Sequence, residues 1–307
     1  MKEQIMRGVF SILVTPFDEA YRIDEPSLRN LVEYQIEAGV HGLGVAMGSE
    51  IFRLTESERA RVTRVIVDQA RGRVPVVVNA SGTGTETAVH YSRMAEDDGA
   101  DALMLTPPIP MGMGGPAGPD GIREYFCAVS AAVNIPIFIQ SQENMPVPAG
   151  LACQIARECE NVLYIKEEVR PTPSRIADLV RQAGDTLVVF GGAGGGYFIE
   201  EMERGAQGTM PGCSQPEAFV RTWDLSQKGE VSEARRMLER TQRLARVSGM
   251  MRDGFFHVHK ELLRQRGIIR TAVVRGPVAP WPDDDLLRHD VQEAIDEYLA
   301  YDDWRAS

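Results

Sequence analysis

The stretch Val162-Leu163-Tyr164-Ile165-Lys166-Glu167-Glu168 is a short apolar run that ends abruptly in charged residues. A run without strict alternation of polar and apolar side chains is typical of a parallel strand buried on both faces. A lysine at the carboxyl end of such a strand lies at the mouth of an α/β fold, where ligands bind. Lys166 is therefore a candidate amine nucleophile. The alternative is a lysine that only extends its charged head group into water at the end of a strand.

Similar apolar runs recur along the chain and alternate with amphipathic stretches. The predicted strands are residues 9–14, 42–46, 75–78, 102–105, 136–139, 162–165, 187–190 and 208–210. The predicted helices are residues 27–38, 56–70, 85–98, 121–132, 151–158, 173–182, 197–204 and 216–227. Thr55-Glu56-Ser57-Glu58 has the pattern of a helix-capping box. This regular alternation predicts a closed (β/α)8 TIM barrel, with a doubly wound open sheet as the alternative.

The last part of the chain has helical patterns and no strand pattern. Its helical stretches are interrupted by Arg275-Gly276-Pro277-Val278-Ala279-Pro280-Trp281-Pro282, and the last predicted helix spans residues 292–304. No flexible glycine and serine linker precedes this part. We therefore expect residues 1–228 to form the barrel and residues 229–307 to form a C-terminal helical extension packed on it.

Composition excludes several classes of partner. The chain has 307 residues and a net charge of −11, with no basic patch that could follow a phosphate backbone. No apolar stretch approaches the roughly 20 residues that span a bilayer, and Met1-Lys2-Glu3-Gln4 has no apolar signal region. We expect a cytoplasmic protein that acts on a small molecule and contacts neither nucleic acid nor membrane.

No cofactor site is predicted. His257 and His259 are two residues apart in a helical stretch, where their side chains diverge, so a metal site is not expected. The run of residues 191–196 lacks the Lys-Ser/Thr pair of a phosphate loop and the full dinucleotide fingerprint. It is expected to bring backbone close to a small ligand or to form a structural turn.

The four cysteines show no C-x-x-C spacing, which predicts free, mostly buried thiols.

Short motifs at the expected strand ends occur in a consistent order. They are Gly8 with Thr15-Pro16-Phe17, Ser49-Glu50 with Leu54-Thr55 and Glu58-Arg59, Thr106-Pro107, Pro136-Ile137, Lys166-Glu167 and Arg275-Gly276-Pro277. In this order the chain resembles the dihydrodipicolinate synthase/N-acetylneuraminate lyase family of class I aldolases and dehydratases, over nearly its whole length. The resemblance implies that Lys166 forms a Schiff base with a keto substrate and that the protein is a homotetramer.

The chain departs from that family at three places. Many members hold the substrate carboxylate with a Gly-Thr-Thr-Gly-Glu loop, where this chain has Ala46-Met47-Gly48-Ser49-Glu50. We expect the Gly48 and Ser49 amides and the Ser49 hydroxyl to bind the carboxylate, and Glu50 to have a structural role. Gln140 stands where the proton-shuttle tyrosine is expected, and Pro108 and Ile109 replace its partner tyrosine. Because an amide cannot transfer a proton at neutral pH, another acid–base group is needed.

The alternation of side chains along the sixth predicted strand indicates which residue is the acid–base group. Residues at i and i+2 share one face of a strand, so Glu168 should lie beside Lys166 and Glu167 on the opposite face. A simple ion pair is the alternative. Gln140 and the Lys-x-Glu motif resemble the L-2-keto-3-deoxyarabonate dehydratase branch of the family. Lys260-Glu261-Leu262-Leu263 and Ala279-Pro280-Trp281-Pro282 resemble it too.

The resulting hypothesis is a lyase that dehydrates a 2-keto-3-deoxy sugar acid. Lys166 would form the imine, Glu168 would move the proton, and Gly48 and Ser49 would hold the carboxylate. Substrate hydroxyls would contact Gln140 and the backbone of Gly191 and Gly192. Two alternatives are open, namely a pyruvate-dependent aldolase or synthase, and a barrel that binds sugar acids without turnover.

Overall fold

The computed structural model describes residues 5–108 and 117–301. Within them, eight parallel strands pair in chain order and close into a barrel, with β1 hydrogen-bonded to β8. The strands are β1 Gly8–Ile12, β2 Gly42–Val45, β3 Val76–Asn79, β4 Ala102–Leu105, β5 Ile137–Ser141, β6 Val162–Glu167, β7 Val188–Gly191 and β8 Gly208–Thr209. The prediction of a (β/α)8 barrel is confirmed, and the open sheet is excluded.

A helix follows each strand, and three more helices complete the described chain. The barrel helices are α1 Glu25–Glu37, α2 Glu56–Ala70, α3 Thr85–Asp97, α4 Pro119–Ser130, α5 Ala149–Glu158, α6 Thr172–Ala183, α7 Phe198–Met202 and α8 Pro216–Gln227. The later helices are α9 Val231–Ser248, α10 Gly254–Gln265 and α11 Asp285–Leu299. At the start of α2, Glu58 N donates to Thr55 Oγ1 and Thr55 N donates to Glu58 Oε2, so the capping box is confirmed.

Helix α11 begins earlier than residue 292, where the sequence pattern placed the last helix. Asp284 precedes it, and its side chain accepts hydrogen bonds from the Leu286 and Leu287 amides, which caps the helix at this point. The helix ends at Leu299. The expected end at residue 304, the N-terminal Met1-Lys2-Glu3-Gln4 and Ile109 lie outside the described residues.

Aromatic side chains fill the interior of the barrel. The Phe138 and Tyr164 rings are stacked with centroids 4.3 Å apart, and Phe190 meets the Phe138 and Phe10 rings edge to face, each at 5.4 Å. Tyr164 is two residues before Lys166 on β6, so its ring forms the layer beneath the lysine. Because this layer is packed, a ligand can reach the lysine only from the carboxyl ends of the strands.

The expectation of four free thiols is wrong for one pair. Cys127 and Cys159 form a disulfide, with their Cα atoms 5.1 Å apart. Cys127 lies in α4 and Cys159 caps α5, and packing of these neighbouring helices brings together residues separated by 32 positions. That separation has no recognisable cysteine signature. Cys153 and Cys213 are free and buried.

In residues 5–108 and 117–301, none of the helices has both the length and the apolar character needed to span a membrane.

Candidate active site

A cavity of about 440 Å³ opens at the carboxyl ends of the strands. Lys166, Glu168 and Gln140 line it from the barrel, and Gly48 lines it from the loop after β2. Helix α10 contributes Phe255 and Phe256 as an apolar wall. The cavity therefore lies between the barrel mouth and the helices that follow the barrel.

Lys166 and Glu168 lie side by side in this cavity. Lys166 is only 4% exposed, and its Nζ atom is 3.0 Å from Glu168 Oε1. Glu167 points the other way, where it is fully buried and accepts hydrogen bonds from Ser141 Oγ at 3.2 Å and Val169 N at 2.7 Å. The expected placement of the two glutamates on opposite sides of the strand is confirmed. A buried amine and a carboxylate within hydrogen-bonding distance can exchange a proton directly.

Four donors surround the Glu168 carboxylate. Besides Lys166, Gln140 Nε2 donates at 2.7 Å, Gln142 Nε2 at 3.2 Å and the Ala193 amide at 3.1 Å. Burial acts to raise the pKa of Glu168, but the charge of Lys166 and the hydrogen bonds from Gln140 and Ala193 outweigh it, so the pKa is lowered. Glu168 is therefore a carboxylate at neutral pH and can accept a proton.

The glycines at the end of β7 and just after it have steric roles at this site. A Cβ atom on Gly192 would lie 2.5 Å from Glu168 Cγ and 2.7 Å from Lys166 Cε, so a side chain there would displace the pair. A Cβ atom on Gly191 would overlap the Glu201 carboxyl group of α7. The carbonyls of Gly191 and Gly192 accept hydrogen bonds from Met210 N and Gly195 N. Gly194, rather than the expected Gly191 and Gly192, lines the cavity from this loop.

The loop after β2 only partly matches its expected role. Gly48 lines the cavity, but Ser49 does not, and its side chain is 1% exposed. The Ser49 hydroxyl donates to Leu13 O and accepts from Ala46 N at 3.0 Å, and the Ser49 amide donates to Ala46 O at 2.8 Å. Met47–Ser49 form a single 3-10 turn, in which the Ser49 amide is used within the loop and the Ser49 hydroxyl is used by Ala46 of the loop and by Leu13 after β1. The Ser49 hydroxyl, which was expected to contact the substrate, therefore faces Leu13 and Ala46 in this arrangement and not the cavity.

Glu50 has the structural role that was expected. Its Oε2 atom is 2.5 Å from Lys260 Nζ, and its Oε1 atom accepts the Arg275 amide at 3.1 Å. Both partners come from the last part of the chain, so Glu50 ties the loop after β2 to that part. Glu50 has a left-handed φ of 58°, which turns the chain between two short 3-10 helices.

Several cavity residues were missed by the sequence analysis. Gln142 lies two residues after Gln140, beyond the end of β5, so the alternation used for Glu168 would have found it. Arg53 ends the second 3-10 turn, Ile51–Arg53, and Phe255 and Phe256 belong to α10. No local pattern marks these three residues as part of a site. Phe255 and Phe256 reach the cavity because α10 packs over the barrel mouth, and Arg53 is held beside Phe256 and Asp253.

The sequence of this chain is similar to known proteins over nearly its whole length. The model of the dihydrodipicolinate synthetase family matches residues 5–297. The L-2-keto-3-deoxyarabonate dehydratase of Azospirillum brasilense is 29% identical over 276 residues, which cover 89% of this chain and 88% of that protein. The 4-hydroxy-tetrahydrodipicolinate synthase of Porphyromonas gingivalis is 27% identical over 285 residues, which cover 91% of this chain and 93% of that protein.

A solved structure agrees with these sequence matches. The crystal structure of dihydrodipicolinate synthase from Rhodopseudomonas palustris superposes with a TM-score of 0.84 at 25% identity, covering 95% of this chain and 97% of that one. Fold, family model and relatives agree along nearly the full length of the chain. The chain therefore belongs to the dihydrodipicolinate synthetase family and is an enzyme of the lyase class.

Proposed function

We propose that the protein is a Schiff-base-forming hydro-lyase that removes water from a 2-keto-3-deoxy sugar acid. The observation that carries this proposal is the Lys166–Glu168 pair, at 3.0 Å, in a cavity where Gln140 occupies the place expected for a phenol. The similarity to a relative named as a keto-deoxy sugar acid dehydratase supports it.

The first step is imine formation at Lys166. Glu168 accepts a proton from the Lys166 ammonium group, and the free amine attacks the C2 carbonyl of the substrate. The carbonyl oxygen leaves as water with one proton from the amine nitrogen and the proton that Glu168 returns. This step restores the Glu168 carboxylate and produces a cationic imine that makes the C3 proton acidic. The buried position of Lys166 favours this chemistry because water competes poorly there.

Elimination follows from the same pair of residues. Glu168 accepts the C3 proton, and the enamine electrons then expel the C4 hydroxyl, which leaves as water with a proton from Glu168. Hydrolysis of the unsaturated imine releases the product and regenerates Lys166, so the net change is loss of one water.

Gln140 Oε1 is buried and has no hydrogen-bond partner among the described residues, so it offers an acceptor for a substrate hydroxyl. The Gly48 backbone lines the cavity where the carboxylate would enter.

Borohydride trapping tests the imine. Wild-type protein incubated with pyruvate or a 2-keto-3-deoxy acid and then reduced should carry a stable adduct on the peptide containing Lys166. The Lys166→Ala variant should carry none, whereas Lys228→Ala, at an exposed lysine, should be labelled like the wild type. The absence of an adduct with every 2-keto acid, or an unchanged adduct in Lys166→Ala, would favour a barrel that binds sugar acids without turnover.

Product analysis tests the reaction type. Mass spectrometry of a panel of 2-keto-3-deoxy acids should show loss of water rather than release of pyruvate. The relative named as a synthase supports an alternative, a pyruvate-dependent aldolase or synthase with the same imine. Faster condensation of pyruvate with an aldehyde than dehydration of any substrate would establish that alternative.

We also propose that the protein is a homotetramer, which light scattering would test.

A further inference from the structure

The active-site cavity contains a cationic side chain that the proposed reaction does not use. Among the described residues that line the cavity, Lys166 and Arg53 are the two basic ones. Lys166 is paired with Glu168 at 3.0 Å. A substrate of the proposed class brings at least one carboxylate into the cavity, and that carboxylate needs donors that are not already occupied.

Arg53 is held in place at the cavity wall. Its side chain is 16% exposed, and its guanidinium lies 4.5 Å from the centroid of the Phe256 ring. It also lies 3.4 Å from Glu50 Oε1 and 3.2 Å from Asp253 Oδ1. The flat group is therefore positioned by a ring and two carboxylates before any ligand arrives, which reduces the entropy lost on binding.

The two carboxylates beside Arg53 have other partners. Glu50 is bound by Lys260 Nζ at 2.5 Å, which is closer than Arg53, and by the Arg275 amide. Asp253 accepts the Ala279 amide at 2.8 Å through its other oxygen. A guanidinium has five N–H donors, and these two contacts use two of those on Arg53. Since the Ser49 hydroxyl already donates to Leu13 O, Arg53 adds charged donors to the backbone that Gly48 presents in this part of the cavity.

We propose that Arg53 binds a carboxylate of the substrate. The proposal rests on the proposed function in that the substrate is taken to be a keto acid. The carboxylate has two possible sources. It is the C1 group next to the ketone, or it is a second acid group at the far end of the substrate. In the second case, Arg53 would decide whether the enzyme prefers monoacids or diacids.

Direct binding of unreactive analogues separates this proposal from the chemistry at Lys166. Lactate and 2-hydroxyglutarate carry a hydroxyl in place of the ketone and cannot form an imine. Calorimetric titration of wild type, Arg53→Gln and Asp253→Asn gives a dissociation constant for each. We expect Arg53→Gln to weaken binding by about 10- to 100-fold, as for loss of a charged hydrogen bond. Weaker binding of both analogues identifies the C1 carboxylate, and weaker binding of 2-hydroxyglutarate alone identifies a distal one.

Asp253→Asn is the matched control. Asparagine keeps an acceptor for the Ala279 amide and frees Arg53 from one carboxylate, so binding should be retained or tightened. Equal losses of affinity in Asp253→Asn and Arg53→Gln would show that the Arg53–Asp253 ion pair has only a structural role and would overturn the proposal. So would unchanged binding in Arg53→Gln, or no binding of either analogue by the wild type. Arg53→Lys keeps the charge and should recover part of the affinity, which guards against a folding defect. Arg53-dependent binding without any borohydride adduct would refute the proposed function and leave this proposal standing.

Discussion

Glu167 and Glu168 are adjacent residues of the same type with opposite environments. Glu168 lies among Lys166, Gln140 and the Ala193 amide, and despite its burial its pKa is lowered. Glu167 faces the helices, and burial raises its pKa against the opposing effect of Arg175. Because side chains alternate along a strand, the two glutamates point to opposite sides and meet these different partners.

Glu168→Gln should separate imine formation from turnover. Glutamine keeps the size of the side chain but cannot accept the C3 proton, so kcat should fall by about 10²- to 10⁴-fold. Borohydride trapping at Lys166 should persist on long incubation, although the adduct should form more slowly because Glu168 also accepts the Lys166 proton. Steady-state kinetics and mass spectrometry of the adduct measure the two effects.

Glu167→Gln is the internal control for that experiment. Its side chain lies outside the cavity lining, so stability should change more than kcat. If Glu167→Gln abolished turnover while Glu168→Gln stayed active, the roles of the two glutamates would have to be exchanged.

At the scale of elements, the contact between α7 and β7 contains a buried carboxyl group. Glu201 of α7 packs against Gly191 of β7, and its Oε1 atom accepts a hydrogen bond from Thr172. Its Oε2 atom has no partner among the described residues. Burial raises the pKa of Glu201 to about 7, and nearby Glu200 and Glu168 add to the effect.

This contact should make stability depend on pH. Glu201 binds a proton more tightly in the folded state, so its stabilising contribution is complete below about pH 4.5 and is lost as pH rises to about 7. The loss should amount to about 3 kcal/mol in the free energy of unfolding. Urea denaturation of wild type and Glu201→Gln between these pH values measures it. A constant difference between the two proteins across that range would show that the carboxyl does not titrate as expected.

At the scale of the whole molecule, a buried ion pair joins the barrel to the helices beyond it. Lys260 of α10 and Glu50 are both fully buried, and Lys260 Nζ also donates to Val273 O at 2.9 Å. Burial lowers the pKa of Lys260 to about 8, and the charge of Glu50 opposes that effect. These contacts support the proposal that residues 229–307 are an extension of the barrel rather than an independent domain.

Lys260→Met should destabilise the protein strongly, because it leaves Glu50 without its closest cation in a buried position. We expect a loss of about 3–5 kcal/mol in the free energy of unfolding, and the double variant Lys260→Met/Glu50→Gln should recover part of it. Urea denaturation measures the free energy of unfolding of both variants.

Arg264→Met on the same helix is the control. It removes an exposed ion pair with Glu261 and should lower the free energy of unfolding by at most about 1 kcal/mol. Similar losses in Lys260→Met and Arg264→Met would exclude a special role for the buried pair.

The sequence by itself determined the barrel and the central pair of the candidate site. Strand and helix periodicities depend on neighbouring residues, so eight strands, the capping box of α2 and the shared face of Lys166 and Glu168 could be predicted locally. Gln140 was predicted to face the same site, and its 2.7 Å hydrogen bond to Glu168 agrees.

Only the tertiary structure decided which other groups reach the cavity. It turned the Ser49 hydroxyl toward Leu13 O and brought Phe255 of α10 to the barrel mouth. Away from the cavity, it joined Cys127 to Cys159. It also placed Arg53 between Asp253 and Glu50. These contacts join residues far apart in the chain, and such pairs leave no periodic trace in the sequence. They follow from how helices pack once the barrel has closed, because packing rather than local propensity sets those distances.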